Sequence, residues 1–184
     1  NRPQSPSSAV RSSDQLQDLR VGYRPDGITC GPGCLGAVVD ALIDNAPSTE
    51  EIAEFCGTNP YTGTTDVAMK RGLKALGVSY THPASEERRA PGFLDAALED
   101  GNAVMLRTLL GGIKHWVTAH AVTPAGYSIA CPVAGNVIWS REDTRAAWGA
   151  RDYDCIIIPR APSAHPELMR ATIPESPEET GPLP

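Results

Sequence analysis

Five cysteines and four histidines are the side chains of this 184-residue chain best suited to nucleophilic and proton-transfer chemistry. Cys30 stands out by its setting, DGITCGPGCLGAVVDAL at residues 26–42. Gly31, Pro32 and Gly33 predict a sharp turn into a helix, which puts Cys30 at or beside the helix N-terminus. Unsatisfied amides and the helix dipole favour an anion there, so a thiol gains thiolate character and nucleophilicity. The same amides, that of Gly31 included, can hold an oxyanion developing on an attacked carbonyl. Cys34 lies one turn inward among Leu35, Val38 and Val39 and reads as core, while Cys56 ends a helix, Cys155 lies in the terminal apolar strand, and both read as structural.

A thiolate nucleophile needs a base, and the histidines are His82, His115, His120 and His165. His82 precedes a proline in a polar loop, and His165 lies in a proline-rich stretch. His115 opens the run HWVTAHAVT, a strand entrance from which a side chain can face a cleft. His120 is five residues on, so alternation sends it to the opposite face of the strand. A zinc site is not expected, because Cys30 and Cys34 have no partner pair downstream at ligand spacing.

The elements that must position these groups change character midway. STEEIAEFCG carries a Ser cap, acidic first-turn residues and a terminal Gly. TTDVAMKRGLKALGV has a Thr cap and closes on Gly77, and APGFLDAALEDGN has Pro91 suited to a first turn. The second half alternates as strands: AVMLRTL, HWVTAHAVT, YSIACPV, NVIWS and DYDCIII, with SREDTRAAWGA as an intervening helix. Helices first and antiparallel strands after predict an α+β fold of segregated layers. Residues 1–20, rich in Ser, Gln, Arg and Pro, read as an N-terminal arm, and residues 160–184, with a proline every few positions, as an extended tail. Residues 21–159 are then one domain, an ordinary size for a single core.

The segments TCGPGCLGAVVDAL, STEEIAEFCGTNPYTGTTDVAMKRGLKALGV, FLDAALEDGNAVMLRT, HWVTAHAVTPAGYSIACP and SREDTRAAW, in this order, resemble the papain-like cysteine peptidases that process bacteriocin leader peptides and their looser relatives. The likeness runs from about Tyr23 to Ile158. It implies an N-terminal helical half packed on a C-terminal antiparallel sheet, with Cys30 attacking the substrate carbonyl and His115 acting as general base. Two positions depart from the family. Where relatives place Asp or Asn before a proline to orient the histidine, this chain has Cys131 before Pro132. A thiol orients an imidazolium less well than a carboxylate does, and Asn136, Asp152 and Asp154 are the substitutes within the chain. Where relatives carry an oxyanion-hole glutamine, six residues before the cysteine, Arg24 stands. Its guanidinium can donate to an oxyanion or hold an anionic substrate group.

Composition bounds the rest. A net charge of −6 argues against nucleic acid as a partner, because phosphate binding needs a basic surface. No apolar run approaches the roughly 20 residues that span a bilayer, so membrane insertion is not expected, and the compartment stays open. The leading expectation is a cofactor-independent cysteine hydrolase or transferase of bacterial type acting on a peptide, isopeptide or side-chain amide through an acyl-enzyme. Its substrate would be a peptide or protein. The rival is a papain-like module that has lost catalysis and binds a peptide or protein partner in the old cleft. A third idea, a disulfide formed by Cys131, needs Cα atoms within about 7 Å of each other, and an orienting position beyond the imidazole works against pairing with Cys30.

Overall fold

Six helices and five strands follow one another along the described residues, which are 16–22, 28–43 and 45–159 of a computed structural model. The helices are α1 (Cys30–Leu42), α2 (Thr49–Cys56), α3 (Asp66–Ala75), α4 (Ser85–Arg89), α5 (Phe93–Glu99) and α6 (Arg141–Gly149). The strands are β1 (Ala103–Leu110), β2 (Ile113–Thr123), β3 (Gly126–Cys131), β4 (Gly135–Trp139) and β5 (Cys155–Ile158).

Local chemistry accounts for most of the boundaries. Ser48 and Glu51 form a reciprocal capping box at α2, with Ser48 N–H donating to Glu51 at 2.8 Å and Glu51 N–H to Ser48 Oγ at 3.2 Å. Gly57 closes that helix at φ 61°. Thr65 caps α3 and Ser140 caps α6 in the same way. Pro91 does not enter α5: Gly92, at φ 80°, is the cap, and the helix starts at Phe93. Helix α4 has no counterpart in the sequence reading. Its five residues, SEERR, are too few to show an apolar period, although Glu86 and Glu87 lead and Arg88 and Arg89 follow as the helix dipole favours. Gly111 and Gly112, at φ 55° and 82°, make a two-residue hairpin turn, so β2 begins at Ile113 and His115 is its third residue.

The sheet order is β4-β3-β2-β1-β5, with every neighbouring pair antiparallel. Alternation along the strands sorts the core into two layers. Ala103, Met105, Trp116, Ala130, Ile156 and Ile158 pack with Leu35, Val38, Val39, Ile52, Met69 and Leu73 of α1–α3. Val104, Leu106, Val117, Ala119 and Ile129 pack with Leu94, Leu98 and Trp148 of α5 and α6. The fold is α+β and papain-like in plan, but α5, which the chain order groups with the helical half, covers the opposite face of the sheet. Within the expected arm over residues 1–20, Leu16 and Leu19 are fully buried against the α1 layer. Residues 1–15 and the expected tail over 160–184 lie outside the described residues.

Gly72 is where α3 crosses α2. A Cβ there would fall 2.3 Å from Cys56 Sγ and 3.2 Å from Leu35 Cδ2. Gly72→Ala is therefore expected to destabilise the protein by about 1–3 kcal/mol through overpacking, despite the roughly 1 kcal/mol gain in helix propensity. Thermal unfolding checks this, and a rise in melting temperature would show that the two helices can part without loss.

Candidate active site

Helix α1 starts at Cys30. Unlike α2, α3 and α6, it has no side-chain cap and no acidic residue in its first turn, so nothing of its own neutralises the positive end of its dipole. Gly33 N–H reaches the Thr29 carbonyl at 2.8 Å, Pro32 carries no N–H, and the Gly31 amide is among the first-turn donors that no carbonyl of the helix satisfies. Gly31 serves packing as well: a Cβ there would lie 2.7 Å from Thr64 Cβ and 2.9 Å from Met69 Cε. The loop from Gly57 to Thr65 thus presses on the start of α1. Asn59 Oδ1 tightens it by accepting from Tyr61 and Thr62 N–H at 2.8 and 3.0 Å. The Thr64 carbonyl accepts the Trp116 indole N–H at 2.8 Å, which ties the loop to β2.

On β2, His115 pairs with Thr108 of β1, whose hydroxyl donates to the His115 carbonyl at 3.1 Å. The next residue shows how α1 meets the sheet. Arg107, opposite Trp116, donates its N–H to the Asp154 carbonyl rather than to β2, so the polar groups of Trp116 turn toward β3. Continuing the β2–β3 register past Thr118 and Ala130 sets Pro132 opposite Trp116. Proline has no N–H to donate, and the Trp116 carbonyl accepts from Cys34 Sγ at 3.3 Å instead. Helix α1 is thereby seated where β3 leaves β2. Cys30 is four residues, about 6 Å along the helix axis, from this contact, and it packs in the same cluster as Trp116.

Across the strands, His115 Nε2 and Cys131 Sγ lie 3.3 Å apart. Both are buried, at 6% and 1% exposure, as is Cys30 at 4%. The structure thus joins His115 to Cys131 and brings the Cys30 helix against the adjoining residue of β2. It gives the alternatives other work. Asn136 donates to the Leu19 carbonyl at 2.6 Å and accepts from Val21 N–H at 3.4 Å. Asp152 pairs with Arg89, and Asp154 with Arg88, Arg107 and His82. His120, at an irregularity between Ala119 and Ala121, donates from Nδ1 to the Gln17 carbonyl at 2.9 Å, away from His115. Trp148 is core, its indole N–H on the Asp154 carbonyl at 2.9 Å. Arg24 lies outside the described residues. Thr64 and Trp116 were missed as partners, because 52 residues separate them and neither spacing nor residue type signals the contact.

All five cysteines are buried thiols. Burial pushes Cys34 well up, and a charge on Cys30 would push it the same way, so Cys34 stays protonated. Among the described residues no group of three or more His, Cys, Asp or Glu could hold a metal ion, and no helix is long and apolar enough to cross a membrane. Burial holds His115 and His120 below the ordinary histidine value. The unfolded chain takes up protons near the ordinary value of about 6.5, so below that pH it holds more protons than the folded chain. Stability is therefore expected to be complete above about pH 6.5 and to fall on acidification through the lower folded values. Melting temperature against pH tests this, and His120→Gln should flatten the decline.

No protein-family model matches the chain, and no curated protein matches it by sequence. Solved structures do match. The peptidase domain of Streptococcus ComA, a bi-functional ABC transporter involved in a quorum-sensing pathway, superposes with TM-score 0.61 at 17% identity, over 77% of this chain and 98% of that one. A double-glycine-motif protease from an AMS/PCAT transporter, solved with its leader peptide, gives TM-score 0.62 at 14% identity, over 84% and 99%. A protein described as a C39-like peptidase from Bacillus anthracis gives 0.62 at 12% identity, over 86% and 100%. At these identities the likeness speaks for the fold alone: the chain has the papain-like α+β fold of the C39 peptidase domains.

Proposed function

We propose that the protein is a cysteine hydrolase that cleaves an amide bond in a peptide or protein substrate, with Cys30 as nucleophile and His115 as general base. The observation that carries this reading is the contact of α1, the helix that Cys30 opens, with the Trp116 carbonyl next to His115, whose Nε2 meets Cys131 Sγ. That leaves Nδ1 as the ring atom to exchange a proton with Cys30. The thiolate adds to the carbonyl, and the oxyanion meets the first-turn amides, including that of Gly31. The proton on His115 passes to the departing amine, and water, deprotonated by the same imidazole, releases the acyl group. Deamidation and acyl transfer would use the same two residues. The peptidase folds of the solved neighbours, one of them bound to a leader peptide, favour peptide cleavage.

Cys131 also supports a second reading, a module that binds a peptide without cutting it, because a thiol is a weak orienting partner. Intact mass after brief exposure to iodoacetamide separates the two. The hydrolase reading expects fast single labelling that is lost in both Cys30→Ala and His115→Ala. Slow labelling that ignores His115→Ala would favour the binding module.

A further inference from the structure

The pairing of His115 with Cys131 decides more than ring orientation, because a neutral imidazole has one N–H and one bare nitrogen. Resting on the reading of Cys30 and His115 as a working pair, we propose that Cys131 is a positioning residue whose protonation state selects the tautomer of His115. As a thiol it slows the pair, and as an anion it speeds it.

His115 Nε2 and Cys131 Sγ meet at 3.3 Å where water does not compete, since both side chains are buried. An imidazole nitrogen is a good acceptor, whereas thiol sulfur is a weak one. With Cys131 protonated, the favoured contact is S–H donating to Nε2. The ring proton is then on Nδ1, which cannot take a proton from Cys30. With Cys131 ionised, Nε2 must carry the hydrogen and donate it, Nδ1 is bare, and the base is armed. The imidazolium formed next also keeps a charged acceptor at Nε2 rather than a neutral, weak one. Around Cys131, the sheet neighbours Val117, Ala130 and Gly135 carry no charge. Among the described residues, His115 from β2 and Cys34 from α1 face it, with Cys30 one turn along that helix, and Tyr127 and Cys155 belong to the same buried cluster. Cys34 is held protonated by burial, so it neither supplies nor removes the switching charge.

The test uses the full chain with ¹⁵N-labelled histidine, comparing wild type, Cys131→Asp and Cys131→Ser, with His115→Gln to assign the ring signals. At about pH 7 wild type should show Nδ1 protonated and Nε2 bare. Cys131→Asp should show the reverse. Iodoacetamide should label Cys30 about tenfold faster or more in Cys131→Asp, the scale of a hydrogen bond to a charged group. Cys131→Ser, a neutral donor, should keep the wild-type tautomer and label Cys30 at the wild-type rate, and it serves alone if Cys131→Asp does not fold. Equal tautomers in wild type and Cys131→Asp, or equal His115-dependent labelling at every pH, would overturn the switch and leave the Cys30–His115 pair standing. Labelling insensitive to His115→Gln in every variant would overturn the pair and the switch with it.

Discussion

Cys30→Ala is expected to abolish peptide-bond cleavage, with a loss of about 10⁴-fold or more, the scale on which removing a nucleophile acts when the other groups cannot replace it. The substitution deletes a single sulfur from a site at the start of α1, so folding should survive. Cys30 is buried among Trp116, Met69 and Ala130, and the void left is smaller than those of the large-to-small core changes that cost several kcal/mol. The measurement is chromatographic detection of peptide fragments, with melting temperature as the control for folding. Cys34, Cys56 and Cys155 are not expected to substitute. Cys34 is held protonated and donates to the Trp116 carbonyl. Burial lifts Cys56 to about 11 and Cys155 to about 12, out of nucleophilic range near neutral pH. Cleavage that persists in Cys30→Ala with a native melting temperature would refute the assignment of the nucleophile.

Asp154→Ala should cost about 3–5 kcal/mol of stability, because it strands partly buried cations. The carboxylate accepts from Arg88 at 2.7 Å, from Arg107 at 2.8 Å and from His82 at 3.0 Å. Arg107 also lies over the Trp116 ring and near Asp66, so the cluster joins α3, α4, β1 and the start of β5. Burial alone would push Asp154 up, but the hydrogen bonds from His82 and Arg107 and the charges of both arginines outweigh it and hold the carboxyl below its ordinary value. The sign follows: this contribution is present above the ordinary carboxylate range and is lost as pH falls through the lower folded value. Urea or thermal unfolding should show a fall of roughly 10 °C in melting temperature for a domain of this size. Replacing Arg88 and Asp154 together by apolar residues should recover part of that loss, since the isolated charge goes with its partner. A change below about 1 kcal/mol for Asp154→Ala would mean that the cluster behaves as an exposed ion pair.

By itself the sequence determined the elements whose cause lies within a few residues. Ser48 with Glu51, Thr65, Ser140 and Gly57 mark helix ends because caps satisfy the backbone groups beside them. The same locality made Cys30 legible as the first residue of α1, since Gly31-Pro32-Gly33 govern the turn that carries it. The strand runs were legible from alternation, and Gly111-Gly112 set the hairpin that delivers His115. Tertiary structure alone decided which face each helix covers, and so set α5 and α6 opposite α1, because an apolar stripe fits either side of a sheet with two apolar faces. It also gave Asp154 to the arginines and Asn136 to the segment at Leu19, although both had read as possible partners for His115. The seat of α1 on the Trp116 carbonyl joins residues 82 positions apart, and it depends on Pro132 leaving that carbonyl without a strand partner. Such contacts follow from shape and unsatisfied hydrogen bonds in the packed chain, which no short window of sequence contains.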